Sequence, residues 1–255
     1  MTEVVLKRKL VATLALRNQG SRLYGKPLQN LDIENGISIL DNIIASLKAI
    51  SQIDSIVLAI ADGVDNMSFI NYSTLHQLQY VSGDEIDVLG RLIMAATASN
   101  ATDILRVSTE SPFLPNEFIA EGWQSHLESN AEATFFDGII DGCSFEIISL
   151  DALKRSHKNG LEKHRSELCT LYIRENKDDF SINYCAVPEK LKRDDLRLTV
   201  DYPEDLVVCR AVFNQFKDKA PQIPLHEIVD FLDNHPDLIT TTLKFTVAGY
   251  KSMYL

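Results

Sequence analysis

A short segment after the first apolar run of the chain carries the residues best suited to chemistry. Residues 17–27 read R-N-Q-G-S-R-L-Y-G-K-P and are called the basic loop below. Glycine lets backbone N–H groups approach a ligand closely, and arginine and lysine neutralise phosphate charge. We therefore expect this loop to bind a triphosphate. Its cations and glycines are Arg17, Arg22, Lys26, Gly20 and Gly25.

The basic loop matches the P-loop pattern G-x-x-x-x-G-K-[ST] only in part. The spacing from Gly20 to Lys26 fits, but the next residue is Pro27. A P-loop needs a hydroxyl there to hold Mg²⁺, and proline has neither a hydroxyl nor a backbone N–H. The sequence thus argues against a P-loop NTPase and leaves open a basic turn with a purely structural role.

Two acids are predicted to lie at strand ends on the same edge of the sheet as the basic loop. Glu110 follows a strand predicted at 103–107, and Asp201 follows a strand predicted at 196–200. Ligands of parallel sheets bind at the carboxyl ends of the strands, and Mg²⁺ is held by one or two carboxylates together with phosphates. The two acids are therefore candidate Mg²⁺ ligands. The alternatives are a solvated loop acid for Glu110 and a helix N-cap for Asp201.

The elements that must position these residues alternate between strand-like and helix-like segments. The pattern predicts an α/β fold, a mostly parallel twisted sheet flanked by helices. We expect one domain over residues 1–255, with an elaborated segment at about 137–187. Strands are predicted at 11–16, 55–61, a weak one ending at residue 81, 103–107, 133–136, 146–148, 181–187 and 196–198. Helices are predicted at 38–49, 85–99, 116–128, 150–156, 167–174, 202–216 and, as the last clear one, 225–234.

Charge and hydropathy exclude several classes of protein. The net charge of −11 over 255 residues argues against a general nucleic-acid binder. Positive charge is instead concentrated near the basic loop, since the first 26 residues contain six Lys or Arg and one acid. No apolar run approaches the roughly 20 residues needed to span a bilayer, and no signal peptide is recognised. The cytoplasm is the expected compartment, without a membrane partner.

Several motifs together resemble the sugar-acid cytidylyltransferases, and most closely the branch named for spore-coat polysaccharide biosynthesis protein F. The basic loop is similar to that family's R-x-x-S-x-R-L-x-G-K, with Tyr24 where proline is common. Residues 198–206, L-T-V-D-Y-P-E-D-L, are a close match, and residues 83–91 resemble G-S-x-x-D-V-L-G-R. Residues 108–113, S-T-E-S-P-F, resemble T-G-D-C-P-L, with Glu110 replacing the aspartate.

The resemblance implies a fold of the nucleotide-diphospho-sugar transferase type, which is GT-A-like and Rossmann-type. It implies transfer of CMP from CTP to an anionic sugar-like acceptor, with Mg²⁺, in a homodimer whose acceptor-side or dimerisation segment is 137–187. The catalytic residues it implies are Arg17, Lys26, Glu110 and Asp201, of which Glu110 and Asp201 hold the metal. The nucleotide-binding residues it implies are Leu16, Arg17, Gly20, Ser21, Arg22, Lys26, Arg91 and Arg106. The acceptor-binding residues it implies are Glu146, Arg165 and Glu167.

Two other functions are compatible with the same sequence. A glycosyltransferase that consumes a nucleotide-sugar would have a similar sheet, but the chain shows no convincing D-x-D metal motif after a middle strand. A non-catalytic nucleotide-binding relative would explain the departures from the family at Glu110 and on the acceptor side. There Ser144 replaces an acid and Leu168 replaces a histidine.

Overall fold

The computed structural model describes residues 7–20 and 22–250, and within them the main sheet has seven strands. Their spatial order is β5-β4-β1-β6-β8-β7-β9, and β2 and β3 form a separate antiparallel pair. The sheet strands are β1 Leu10–Leu16, β4 Ser55–Ala61, β5 Gln79–Gly83, β6 Asp103–Arg106, β7 Ala133–Phe135, β8 Glu146–Ser149 and β9 Ile182–Tyr184. The pair consists of β2 Asn30–Asp32 and β3 Ile37–Ser38.

The sheet is mostly parallel, as the sequence predicts. Strand β1 pairs in parallel with β4 on one side and with β6 on the other, and β4 pairs in parallel with β5. Strand β8 is antiparallel to both of its neighbours, and β9 is parallel to β7. Because β1 and β6 are parallel neighbours, the basic loop and Glu110 leave the sheet at the same edge.

Helices cover both faces of this sheet. Leu14 of β1 packs in one core cluster with residues of four helices, while Val11, three positions earlier in the same strand, packs in a second cluster with residues of two other helices. A strand buried on both faces reads as a continuous apolar run, which explains the sequence of β1. The helices are α1 Ile39–Lys48, α2 Met67–Leu75, α3 Val88–Ala98, α4 Asn116–Glu128, α5 Leu150–Asn159, α6 Leu171–Glu175, α7 Pro203–Gln215, α8 Leu225–Asp233 and α9 Pro236–Tyr250.

Local signals explain where the helices near the basic loop begin. Ser38 and Asp41 form a capping box at the start of α1, which satisfies backbone N–H groups that have no helical partner. Asp87 accepts a hydrogen bond of 2.7 Å from the N–H of Gly90 and so caps α3. Helix α7 starts with Pro203, whose missing N–H is not needed in a first turn.

The structure corrects several predicted elements. Residues 196–198 are predicted as a strand, but only Arg197 among them forms a bridge, to Asp141, and the backbone bends at Thr199, so no ladder forms. The helix predicted at 167–174 is shorter and is α6. The structure also contains α2, α9 and the β2–β3 pair, none of which the sequence predicted. In α9 the three consecutive threonines Thr240–Thr242 have low helix propensity, which masked it.

The segment at 137–187 contributes to the main sheet through β8 and β9. Its role as an acceptor-side or dimerisation segment stays a prediction.

No helix in residues 7–20 and 22–250 combines the length and the apolar character required to cross a membrane.

Candidate active site

The basic loop is closed by a short backbone contact. The N–H of Gly25 donates to the carbonyl of Asn18 at 2.9 Å, and Gly25 is left-handed, with φ of 60°, a conformation that glycine adopts without strain. At Gly20 an added Cβ would lie 2.5 Å from the carbonyl oxygen of Leu23, so a side chain would clash. Ser21 lies outside the described residues.

Pro27 gives the loop a different continuation from that of a P-loop. Residues Lys26–Leu28 form one turn of 3₁₀ helix, with Pro27 in its first turn. The chain then continues into β2 rather than into a long helix. This turn places the Lys26 side chain beside the carboxyl ends of the strands.

A cleft of about 790 Å³ lies at this edge of the sheet. The structure brings nine of the predicted site residues to its wall. These are Arg17, Gly20, Arg22, Lys26, Arg91, Arg106, Glu110, Glu167 and Asp201. Within the part of the chain that the structure describes, Leu16, Glu146 and Arg165 do not belong to this wall.

Lys26 lies between the two candidate metal ligands. Its Nζ is 2.5 Å from Oδ1 of Asp201 and 4.0 Å from Oε1 of Glu110. Arg22 Nη2 contacts the same Oδ1 of Asp201 at 3.2 Å. The basic loop therefore contacts acids that are distant in sequence. Glu110 lies 84 positions after Lys26, and Asp201 lies 175 positions after it. All four groups can face a single ligand.

Backbone hydrogen bonds hold Asp201 next to Glu110. The N–H of Leu198 donates to the carbonyl of Asp141 at 2.8 Å, and the N–H of Val200 donates to the carbonyl of Glu110 at 2.9 Å. Gly142 permits this approach, because its φ is +93° and an added Cβ would lie 2.7 Å from the backbone of Leu198. Segment 196–200 thus connects the loops that carry Asp141 and Glu110 without joining the main sheet.

Arg197, which no sequence motif indicates, forms ion pairs with three acids next to the cleft. Its guanidinium is buried, with Nη1 2.5 Å from Asp141 Oδ2 and Nε 3.0 Å from Asp205 Oδ1. Its Nη2 contacts Asp201 Oδ2. An arginine within an apolar stretch such as L-R-L-T-V is the sequence signal that could have indicated this network, since buried arginines are paired with acids.

Asp205 rather than Asp201 caps α7. One carboxyl oxygen of Asp205, Oδ2, accepts hydrogen bonds of 2.9 Å from the N–H groups of both Asp201 and Tyr202. The N-cap residue is Tyr202. The alternative interpretation of Asp201 as the helix N-cap is therefore replaced, and the Asp201 carboxylate faces the cations instead.

The two cleft acids differ in their pKa. Burial acts to raise the pKa of Asp201, but Lys26, Arg197 and Arg22 outweigh it and lower that pKa below its usual value. The pKa of Glu110 is raised, mainly because burial disfavours its charged form. The negative charges of Asp201 and Glu167 raise it further, and the attraction of Lys26 does not offset these effects. This holds although 35% of the Glu110 side chain is exposed to the cleft.

The donor set of the cleft fits Mg²⁺. Among the residues that the structure describes, no group of three or more His, Cys, Asp or Glu side chains forms a metal cage. Glu110 and Asp201 instead provide two carboxylates on either side of the Lys26 ammonium. The ammonium now balances their negative charge, and a bound metal ion could do the same. Mg²⁺ characteristically takes one or two carboxylates and completes its shell with phosphates and waters.

Arg91 and Arg106 contact protein groups at the wall of the cleft. Arg91 is buried, and its guanidinium donates to the carbonyl oxygens of Asp84 at 2.5 Å and Glu85 at 2.8 Å, which ties residues 83–87 to α3. Burial lowers its pKa. Arg106 contacts Glu146 and the carbonyl of Glu167, each at 2.7 Å. Their contacts to a nucleotide stay predictions.

The three predicted acceptor residues lie in different environments. Glu146 is buried between Arg106 and Arg174, with the latter at 3.0 Å. Burial acts to raise its pKa, yet these two arginines lower it overall. Arg165 donates to the carbonyl of His157 at 3.4 Å. Glu167 is exposed and pairs with Arg17 at 3.4 Å across the mouth of the cleft. Arg174, which no sequence motif indicates, is held between Glu146 and Asp137.

The family of the chain follows from comparison with known proteins. The cytidylyltransferase family profile matches residues 14–238. The chain belongs to this family. The match spans the basic loop and both cleft acids, and it favours nucleotidyl transfer with CTP over the glycosyltransferase alternative.

Individual relatives agree with this assignment. The chain is 24% identical over 226 residues to Spore coat polysaccharide biosynthesis protein SpsF of Bacillus subtilis, covering 88% of this chain and 94% of that protein. The fold is similar to that of a cytidylyltransferase from Leptospira borgpetersenii, with a TM-score of 0.81 and 18% identity over 91% of this chain and 97% of the other.

A second solved structure shares the fold. It is a CMP:2-keto-3-deoxy-manno-octonic acid synthetase complexed with CTP, with a TM-score of 0.60, 13% identity and coverage of 81% of this chain and 99% of the other. The predicted α/β fold, a mostly parallel sheet flanked by helices, is thereby confirmed.

Proposed function

We propose that this cytidylyltransferase transfers CMP from CTP to a sugar acid or a related anionic acceptor. An acceptor oxygen attacks the α-phosphorus, the bond from the α-phosphorus to the bridging oxygen breaks, and pyrophosphate leaves with the electron pair. When the attacking oxygen belongs to a hydroxyl, its proton passes to the leaving pyrophosphate or to water. The observation that supports this proposal best is the convergence of Arg22, Lys26, Glu110 and Asp201 on one cleft.

The cations of the basic loop bind the triphosphate and the leaving pyrophosphate in this proposal. Lys26 and Arg22 already contact a carboxylate oxygen at 2.5 and 3.2 Å. Phosphate oxygens offer the same kind of acceptor with more charge. Phosphoryl transfer depends mainly on positioning and charge neutralisation, and both can be supplied by side chains in this position.

Glu110 and Asp201 are the residues that would hold Mg²⁺. When bound, the ion would neutralise charge on the phosphates and polarise the α-phosphate. The chain's own contribution is to fix both carboxylates: Arg197 and Asp205 orient residue 201, and the hydrogen bond from Val200 N–H fixes the backbone at Glu110.

The acceptor side of the proposal rests on Glu167, Arg165 and Glu146. Glu167 lies on the wall of the cleft, so it is the best placed of the three to contact an acceptor directly. Glu146 is buried behind the wall and holds Arg106, which faces the cleft, at 2.7 Å. We therefore assign Glu146 an indirect role in which it positions Arg106.

The relative whose name refers to spore coat polysaccharide supports a proposal about the biological setting. We propose that the activated sugar serves the synthesis of a surface polysaccharide, in the cytoplasm, and that the enzyme acts as a homodimer. Light scattering on the purified chain tests the dimer, and a monomer at assay concentration would exclude it.

The decisive experiment measures pyrophosphate release with each of the four NTPs, Mg²⁺ and a panel of acceptors. The panel contains a nonulosonic acid, another sugar acid, a sugar phosphate and a phosphonate. We expect release with CTP and with a carboxylate-bearing sugar, and none in Asp201→Asn. Preference for another NTP, or CTP binding without release for any acceptor, would refute the proposal.

A further inference from the structure

The C-terminal helix α9 reaches the cleft through the aromatic side chain of Phe245. Phe245 lines the same wall as Arg22 and Tyr202. It lies beyond residue 238, where the family match ends, and it belongs to none of the sequence motifs described above. A residue of a helix so distant along the chain therefore belongs to the surroundings of the triphosphate site.

Phe245 is connected to Arg22 through Tyr202. The rings of Phe245 and Tyr202 are stacked, with centroids 3.8 Å apart and planes within 11°. Arg22 contacts the other partner of this stack: its Nη1 donates to the Tyr202 hydroxyl at 3.4 Å, and its Cζ lies 5.0 Å from the Tyr202 ring centroid. The hydrogen bond that Arg22 donates to Tyr202 is also the main cause that raises the pKa of Arg22, while burial acts to lower it.

Helix α9 is fixed to the protein on both sides of Phe245. Thr242 and Thr246 are buried, with 2% and 0% of their surface exposed. Lys244 pairs with Glu204 in the first turn of α7 at 3.3 Å. The ring of Phe245 is thus held in place by its own helix and presents a flat face to Tyr202.

We propose that Phe245 is a positioning residue for the triphosphate. It fixes the ring of Tyr202, and Tyr202 in turn holds the guanidinium of Arg22 at the cleft beside Asp201. A long arginine side chain loses rotamer freedom when it binds a ligand, so holding it beforehand strengthens binding. This inference rests on the proposed function, in which Arg22 contacts the phosphates.

The test compares the binding of CTP and CMP to the full chain in the presence of Mg²⁺ by calorimetry. Aromatic pairs and cation–π contacts are each worth roughly a factor of three to ten in an equilibrium. Phe245→Ala and Phe245→Leu should therefore each weaken CTP by about three- to tenfold. Both should change CMP, which lacks the β- and γ-phosphates, by less than about twofold. Phe245→Leu keeps the apolar volume, which separates lost stacking from a poorly folded variant.

Two controls complete the comparison. Phe245→Tyr, which preserves the ring, should bind CTP like the wild type. Leu243→Ala changes an exposed residue of the same helix and should leave CTP binding unchanged. In an Arg22→Ala background, Phe245→Ala should have no further effect on CTP, because the positioned group is gone.

Equal weakening of CTP and CMP, or an undiminished effect of Phe245→Ala in the Arg22→Ala background, would overturn the positioning role. So would a Phe245→Leu variant that binds CTP normally. A wild-type chain that binds no CTP would give a different pattern. That result would refute the proposed function, in which the chain uses CTP, and the role of Phe245 would fail with it.

Discussion

Lys26 is the residue whose loss we expect to reduce catalysis most directly. Lys26→Ala removes an ammonium that lies 2.5 Å from Asp201 and 4.0 Å from Glu110. Removing one donor that stabilises transition-state charge costs on the order of 10²–10³ in rate, so we expect kcat/KM to fall by that factor. Pyrophosphate release with CTP is the measurement.

A matched control for this variant is Lys48→Ala, since Lys48 is exposed in the last turn of α1. It should keep the wild-type rate. Full turnover in Lys26→Ala would remove Lys26 from the reaction.

Glu110 should set the acid limb of the pH profile. Its pKa is raised above the ordinary 4.5 by desolvation, and only the ionised form can hold a cation. As the pH falls, Glu110 is therefore protonated at a higher pH than an ordinary glutamate. We expect kcat/KM to decline through that raised pKa.

The variant Glu110→Gln tests this assignment. It cannot ionise, so it should lower the plateau by about 10²-fold or more and flatten the acid limb. Glu110→Asp, which keeps the negative charge, should retain the limb. An unchanged acid limb in Glu110→Gln would assign it to another group.

Residues within local motifs could be predicted from the sequence, and residues held by tertiary contacts could not. Lys26 and Asp201 stand in patterns that are visible along the chain. Arg197 and Phe245 act through partners that are distant in sequence, such as Asp141 and Tyr202, and single-sequence patterns do not report such pairs. For Glu146, the pattern indicated an acceptor contact, whereas the structure places its carboxylate behind the wall.

At the scale of elements, the position of segment 196–200 depends on Arg197. Arg197→Ala would leave Asp141, Asp201 and Asp205 without their shared cation in a buried site. Breaking a buried ion pair by removing one partner costs about 3–5 kcal/mol. We expect the free energy of unfolding in urea to fall by that amount.

Arg193→Ala serves as the comparison, because Arg193 pairs with Asp195 and Asp233 nearer the surface. Exposed pairs contribute about 0–1 kcal/mol. Equal losses in the two variants would argue that the buried network around Arg197 contributes no special stability.

Elements with strong periodicity were predictable, and those held by few local signals were not. Strand β1 has a continuous apolar run, and helix α1 begins with a capping box. Residues 196–200 look like a strand because apolar and polar residues alternate, yet all five are buried. The segment makes single hydrogen bonds to two loops instead of pairing along a ladder. Here the alternation reports neither which side chains are buried nor what the backbone pairs with.

For the whole molecule, we expect stability to fall steeply in acid. Asp103 is buried and contacts Arg8 and, at 3.1 Å, His126. Burial acts to raise its pKa, but His126 and Arg8 lower it below the ordinary 3.8. Such a group stabilises the fold fully above its unfolded pKa, and this contribution is lost as the pH falls through the folded value.

Urea unfolding at pH values between 5 and 2.5, roughly the window for paired carboxylates, measures this effect. Asp103→Asn should lower stability at pH 5 and flatten the decline below the ordinary pKa of 3.8. Asp151→Asn, at an exposed position in α5, should follow the wild type. A decline of unchanged slope in Asp103→Asn would place the acid sensitivity elsewhere.

The three cations of the basic loop are already paired with acids from other parts of the chain. Arg17 pairs with Glu167, and Arg22 and Lys26 pair with Asp201. A bare anion entering the cleft would merely exchange one negative partner for another and leave the displaced carboxylates facing each other. A nucleotide that arrives chelated to a divalent cation satisfies both sides at once, with its phosphates on the loop and its cation on the acids. In the proposed reaction, preference for the chelate over the free nucleotide would therefore arise from this internal charge balance alone.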